Sequence, residues 1–86
     1  MKIYCLAGTS VDLSGTLKTE TANAYIAANN ENEAMTIFAA QCLDFHQAIP
    51  ETVNFENNVL TYTFEDSYLS ENPIHVQVTL TVIKVI

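Results

Sequence analysis

The chain has 86 residues and a net charge of −7, with ten Asp and Glu against three Lys and no Arg. This length allows one domain with a two-layer core and excludes a deep catalytic cleft with a second subdomain. An acidic chain without Arg is repelled by phosphates and lacks the side chain that binds guanine through two hydrogen bonds. Direct binding to nucleic acid or to an anionic membrane is therefore not expected.

The composition is typical of an ordered fold in a reducing compartment. Hydrophobic residues make up 49% of the sequence, which has only two Gly and two Pro. We predict that Cys5 and Cys42 are free, buried thiols. The apolar run after Lys2 is too short for the core of a signal peptide, and no segment reaches the length of a membrane span. We therefore expect a cytoplasmic protein.

Two extended segments are predicted before the centre of the chain. Residues 1–7 are mostly apolar and indicate a first strand. Residues 8–15 carry a glycine at each end and predict a loop. Residues 16–28 alternate and predict a second strand. The first half of this strand is polar on both faces, so we expect it at an edge of the sheet.

Residues 30–48 predict the only helix. Asn30 is a good N-cap, Glu33 lies where it completes a variant of the capping box, and Pro50 marks the end. One apolar stripe is expected to face the sheet, formed by Ala34, Phe38, Cys42, Phe45 and Ile49. Gln41 falls inside this stripe. Either its amide bonds to backbone at the sheet edge, or the helix is rotated from this interpretation.

The predicted outer face of this helix carries few charges near its centre and includes Ala39 and Leu43. An alanine-rich surface can reflect helix propensity alone. The second interpretation is an interface with a partner or with a second copy of the chain. The sequence leaves both interpretations open.

Residues 52–65 predict a β-hairpin. Asn57 and Asn58 tolerate positive φ better than most residues, so a two-residue turn fits there. Closing the hairpin at this turn pairs Phe55 with Leu60. The hydrophobic pattern and the turn position agree, which supports this register.

Residues 74–86 alternate cleanly and predict the last strand. Its end, which includes Ile83 and Val85, is apolar on both faces and is expected in the centre of the sheet or against another subunit. The predicted fold class is α+β, a single domain over residues 1–86. It consists of a mostly antiparallel sheet of about five strands in the order β-β-α-β-β-β, with one helix packed on one face.

Residue types for metal or nucleophilic chemistry occur near the end of the predicted helix. Cys42 and His46 are four residues apart and form half of a zinc site, but further ligands would have to converge from distant positions. Asp44 points well away from Cys42 on a helix, so the three do not form a catalytic trio. We predict no metal, no cofactor and no enzymatic activity.

A predicted loop over residues 66–73 carries the candidate binding residues. Tyr68 and Leu69 are an aromatic and an apolar side chain among carboxylates, and the full set is Glu65, Asp66, Tyr68, Leu69 and Glu71. Such a group is a plausible anchor for a protein partner with a basic surface. The alternative is that Tyr68 and Leu69 fold back and cap the core.

The size, the charge of −7, the lack of Arg and the opening of the helix by Asn30-x-x-Glu33-Ala34 resemble those of small phage-encoded inhibitors of the anti-CRISPR type. The resemblance covers the whole chain at the level of layout and transfers no functional residue. It implies a protein that blocks a nucleic-acid-binding surface by placing carboxylates where phosphates would lie.

Three function hypotheses follow. The first is a small acidic protein-binding module, in the form of such an inhibitor. The second is a structural or assembly subunit that forms a homodimer or larger homo-oligomer through Ala39, Leu43, Ile83 and Val85. The third is a small enzyme.

Overall fold

The computed structural model describes residues 1–15 and 18–86. Its elements in chain order are β1 (Lys2–Asp12), β2 (Glu20–Ala28), α1 (Glu31–His46), a 3-10 turn (Pro50–Thr52), β3 (Asn54–Glu56), β4 (Val59–Phe64) and β5 (Ile74–Val85). The strands form one antiparallel sheet in the order β2-β1-β5-β4-β3. The predicted α+β class, with five strands and one helix, is confirmed for this part of the chain.

The helix begins where its capping signal predicts. Asn30 is the N-cap, and its side-chain oxygen accepts a hydrogen bond from the Glu33 N–H at 2.8 Å. Glu31 and Glu33 lie in the first turn. Their negative charges stabilise the positive end of the helix dipole.

The helix ends earlier than predicted because of a left-handed residue. His46 is its last residue, and Gln47 has φ 53° and ψ 56°. The Gln47 N–H donates to the Asp44 carbonyl at 3.2 Å, and the Ala48 N–H donates to the Leu43 carbonyl at 2.9 Å. These two bonds form a Schellman motif, which satisfies carbonyl groups at the end of the helix.

The core lies between α1 and one face of the sheet. The largest fully buried side chains all come from the strands or their ends, and they are Tyr62, Leu6, Leu60 and Ile74. Alternate side chains of β5 face this core, as predicted, and they are Ile74, Val76, Val78 and Leu80. β5 is third of the five strands, but the apolar end that was expected in the centre of the sheet pairs on one side only, because β4 reaches no further than Thr79.

The stripe that α1 buries differs from the predicted one. Phe45 was expected in the core and is 83% exposed. Ala39 was expected on the outer face and is buried, and Leu43 is half-buried against the core. The prediction was therefore wrong for these three residues. Gln41 is exposed, which agrees with the rotated alternative and leaves its amide in water.

Two contacts fix this rotation of α1. A Cβ atom at Gly8 would lie 2.8 Å from Cε1 of Phe38, so the glycine is what lets Phe38 lie directly on the sheet. Near the end of the helix, His46 Nδ1 is 2.5 Å from Tyr62 Oη, and the His46 ring stacks on Phe64 with centroids 4.4 Å apart. The second contact fastens the end of α1 to β4, while the helix as a whole lies mainly over β2 and β1.

The first strand is longer than predicted. Residues 8–12 were expected in a loop, but β1 continues to Asp12 because it pairs with β2 as far as Ser10 and with β5 as far as Asp12. The turn that follows is tied to β5, since the Leu13 N–H donates to the His75 carbonyl at 2.7 Å. β2 lies at the edge of the sheet, as predicted. The first residues of its predicted range, Thr16 and Leu17, lie outside the described residues.

The hairpin forms with the predicted turn. Asn57 and Asn58 have φ of 52° and 65°, the two positive values of a type I′ turn. Phe55 pairs with Leu60, as predicted. β3 is shorter than expected because the 3-10 turn occupies Pro50–Thr52.

The end of β5 has one open edge. β4 pairs with β5 only as far as Thr79. Over residues 81–85, β5 has β1 on one side and no described strand on the other. Ile83 and Val85 in this stretch are 52% and 48% exposed. None of the described helical segments has the length and apolar character needed to span a membrane.

Candidate protein-binding site

Residues 65–73 connect β4 to β5 and are called the acidic loop below. Asp66 organises its backbone. The Asp66 Oδ1 accepts from the Tyr68 N–H at 3.1 Å, and the Asp66 carbonyl accepts from the Leu69 and Ser70 N–H groups at 3.0 Å each. The result is an Asx turn continued by a short helix-like turn. The backbone beneath Tyr68 is therefore held by local hydrogen bonds.

The side chains of the acidic loop face solvent. Tyr68 is 99% exposed and Leu69 is 48% exposed, so the alternative in which Tyr68 caps the core is wrong. The structure brings the three predicted carboxylates, Glu65, Asp66 and Glu71, to the lining of one shallow concavity. Tyr68 and Leu69 are outside this lining. The loop thus presents an exposed aromatic side chain beside a concave acidic surface.

The residues predicted for an oligomer interface do not form one surface. Ala39 is buried in the core and Leu43 packs against the core, because the rotation of α1 turns both side chains toward the sheet. Ala39 is therefore not accessible to a second copy, and Leu43 is only partly accessible. Ile83 and Val85 remain exposed at the open edge of β5.

A second concave surface lies between β2 and the C-terminal half of α1, and we call it the edge groove. Its walls include Ala22, Ala24, Phe38, Cys42, Phe45 and His46. Two adjoining cavities, of about 180 and 280 Å³, make up the groove. Each cavity alone is below the roughly 300–1,000 Å³ of typical small-molecule pockets and is large enough for a side chain.

The titratable groups that α1 and β4 contribute to the groove are neutral at pH 7. Burial lowers the pKa of His46 and raises the pKa of the Cys42 thiol. The pKa of Tyr62 is raised by burial and by its proximity to Cys42. A protonated thiol is not an activated nucleophile. The contact between His46 and Tyr62 is thus structural, because it fastens the end of α1 to β4.

The two cysteines lie on opposite sides of the sheet. Cys42 is on α1, whereas Cys5 alternates along β1 with Tyr4 and Leu6, which face the helix. Both thiols are free, as predicted, although Cys42 is only half-buried. The described residues contain no group of three or more His, Cys, Asp and Glu side chains that could hold a metal ion.

Reasoning from the sequence missed the edge groove. Phe45 was placed in the core by its spacing from Phe38, so its position at the lip of a groove was not expected. The available signal was the pair of small residues Ala22 and Ala24 on the helix-facing side of β2. These two alanines indicate a groove only once the rotation of α1 is known. Comparison of the chain with models of known protein families, with curated proteins and with solved structures gives no match.

Proposed function

We propose that the protein is a small acidic protein-binding module that uses the acidic loop to bind a basic surface of a partner protein. The observation that carries the proposal is Tyr68, which is 99% exposed on a backbone held by Asp66. Tyrosine is common among residues that dominate binding energy, because it buries a large area at a low cost in side-chain entropy. A fully exposed tyrosine gains nothing from the fold of its own chain.

The carboxylates around Tyr68 have a separate role. Glu65 and Glu71 are exposed and Asp66 is half-buried, and all three line one concavity. Charges at the rim of an interface mainly raise the association rate and orient the partner. The net charge of −7 adds to this attraction for a basic surface.

We further propose that the bound surface is one that binds nucleic acid and that the module acts as an inhibitor. Carboxylates grouped at one concavity can replace the phosphates that such a surface normally contacts. The layout that resembles phage-encoded inhibitors of the anti-CRISPR type supports this form of the proposal. The inhibitor would then compete with nucleic acid for its partner.

Photo-crosslinking tests the proposal. Tyr68 is replaced by the photoreactive residue p-benzoylphenylalanine, and the variant is irradiated in a native lysate. The matched control carries the same residue at Phe55, an aromatic residue that is 36% exposed on β3 and lies in neither proposed binding surface. We expect a protein that crosslinks at position 68 and not at position 55, and whose crosslink weakens as salt rises. The purified partner should lose nucleic acid when the module is added.

Two results would count against the proposal. One is capture of the same proteins from both positions, which indicates non-specific contact. The other is a crosslink at position 68 that persists in the Glu65→Gln, Glu71→Gln double variant with unchanged salt dependence. A partner that binds the module and keeps its nucleic acid would contradict the proposed inhibition. It would not contradict the proposed binding through the acidic loop.

Self-association through the end of β5 is a second candidate function. It is favoured by the open edge over residues 81–85 and by the exposure of Ile83 and Val85. Sedimentation tests this candidate. We expect the wild type to be a dimer whose affinity does not fall as salt rises. The Val85→Lys variant should be a monomer. A wild type that stays monomeric at high concentration would end this candidate. A Leu43 variant is unsuitable, because Leu43 packs against the core.

A further inference from the structure

The edge groove has an open strand on one side. β2 pairs with β1 from Ala28 to Glu20. No strand among the described residues pairs with its other edge. An extended chain can add to such an edge through main-chain hydrogen bonds, and pockets beside the edge then select its alternate side chains.

An exposed aromatic side chain stands at the lip of this groove. Phe45 is 83% exposed, whereas Phe38, two helical turns earlier, is 7% exposed. Ala22 and Ala24 line the groove together with Phe45, and their small side chains leave space beside it. An apolar side chain placed there would cover Phe45 and complete an apolar cluster that the chain alone leaves open.

The charge in the groove lies at one end. Glu20 is the only formally charged side chain that lines it within the described part of the chain. Glu20, Ala22 and Ala24 lie on the same side of β2, because side chains alternate along a strand. The groove therefore offers a carboxylate followed at two-residue steps by apolar positions.

We propose that the edge groove binds an extended peptide segment of a partner protein, which adds to β2 as a further strand. A Lys or Arg of the segment lies at Glu20. An apolar side chain, two or four residues away, lies over Ala22 or Ala24 and against Phe45. This surface is distinct from the acidic loop, so either can fail without the other.

Two synthetic heptapeptides probe the groove. Their sequences are Thr-Lys-Thr-Leu-Thr-Leu-Thr and the reverse, Thr-Leu-Thr-Leu-Thr-Lys-Thr, each acetylated and amidated. Both place Lys and two Leu on one side of a strand, and they differ in chain direction relative to β2. Titration of the full chain is followed by calorimetry and by NMR shifts of backbone amides. We expect saturable binding of at least one peptide, with the largest shifts along β2.

Matched variants assign the contacts. Glu20→Gln and Phe45→Ala should each weaken binding by about tenfold. Glu56→Gln removes an exposed carboxylate on β3, at the opposite edge of the sheet, and should leave the affinity unchanged. Replacing Lys in the peptide by Glu should weaken binding. N-methylation of the peptide nitrogens that face β2 should abolish it, because the donors to the strand edge are then lost.

Three results would overturn the proposal. The first is no saturation by either peptide at millimolar concentration. The second is unchanged affinity in both Glu20→Gln and Phe45→Ala, whose exposed side chains can be replaced without loss of the core. The third is a wild-type dimer that Phe45→Ala converts to a monomer, since the groove would then bind a second copy of the chain.

Discussion

At the scale of single residues, the two phenylalanines of α1 separate the core from the surface. Phe38 is 7% exposed and Phe45 is 83% exposed. We expect Phe38→Ala to lower the free energy of unfolding by roughly 3–5 kcal/mol, because it leaves a cavity in the core. Phe45→Ala should change it by less than about 0.5 kcal/mol. Urea denaturation of the two variants measures both values, and similar losses would contradict the rotation of α1.

Gly8 gives a second prediction at this scale. A Cβ atom at this position would lie 2.8 Å from Cε1 and 2.9 Å from Cζ of Phe38. Gly8→Ala should therefore cost roughly 1–3 kcal/mol of stability through overpacking. The double variant Gly8→Ala, Phe38→Leu should lose less than the sum of the two single variants, because the smaller side chain removes the clash. Additive losses in denaturation experiments would refute this contact.

His46 makes stability depend on pH. Burial disfavours its charged form and lowers its pKa in the folded chain. The unfolded chain, with the ordinary value of 6.5, therefore binds the proton first as the pH falls. The stabilising contribution is complete above that value and is lost as the pH falls through the folded-state pKa. We expect His46→Gln to flatten the decline in unfolding free energy as the pH falls below about 6.5.

At the scale of elements, the end of α1 offers a stabilising change. Gln47 holds the left-handed conformation that closes the Schellman motif, and this conformation costs a non-glycine residue about 1–2 kcal/mol. Gln47→Gly should raise the free energy of unfolding by roughly 1 kcal/mol. The matched control is Gln41→Gly, an exposed position inside the helix, which should lower it by about the same amount. If both variants changed the free energy of unfolding in the same direction, the helix would not end at His46.

The acidic loop is the element that the proposed function depends on. Tyr68→Ala should leave the melting temperature unchanged and should speed dissociation from the partner, by roughly 2 kcal/mol if Tyr68 dominates the interface. Asp66→Ala should weaken binding more than Asp66→Asn, because Asn keeps an oxygen that can accept from the Tyr68 N–H. Kinetic binding measurements separate the two effects. A sharp fall in melting temperature for Tyr68→Ala would place that side chain in the core instead.

At the scale of the whole molecule, the sheet is long and the two proposed binding surfaces are lined by different residues. The molecule measures 43 × 24 × 20 Å, and its long axis is consistent with the lengths of β1 and β5. The acidic loop joins β4 to β5, whereas the edge groove lies beside β2, two strands away from β5. No described residue lines both surfaces, so variants can test each surface separately.

The net charge of −7 gives a prediction for the proposed function at this same scale, because charge mainly affects association rates. Glu65→Lys with Glu71→Lys should slow association with a basic partner and flatten its salt dependence, while the dissociation rate changes little. Asp66 is kept because it holds the loop backbone. Stopped-flow measurements at several salt concentrations give the dependence of the association rate on salt. An unchanged slope would mean that the partner does not recognise these carboxylates.

The sequence by itself determined the elements whose signals are local. Asn30 and Glu33 set the start of α1, Asn57 and Asn58 set the hairpin turn, and the alternation of β5 set its buried face. Each of these signals depends on residues only a few positions apart, so no distant contact was needed to interpret it. The acidic loop was predicted in the same way, from the gap between two strand patterns.

The tertiary structure alone decided the rotation of α1 and the surfaces that follow from it. Helical spacing groups Phe38 with Phe45, but His46 contacts Tyr62 and Phe64 on β4 and Phe45 is left exposed. Residues 8–12 likewise appear loop-like in the sequence and become a strand because β1 pairs on both sides. These outcomes depend on partners that are distant in the chain. Only the folded molecule brings Phe45 beside the open edge of β2.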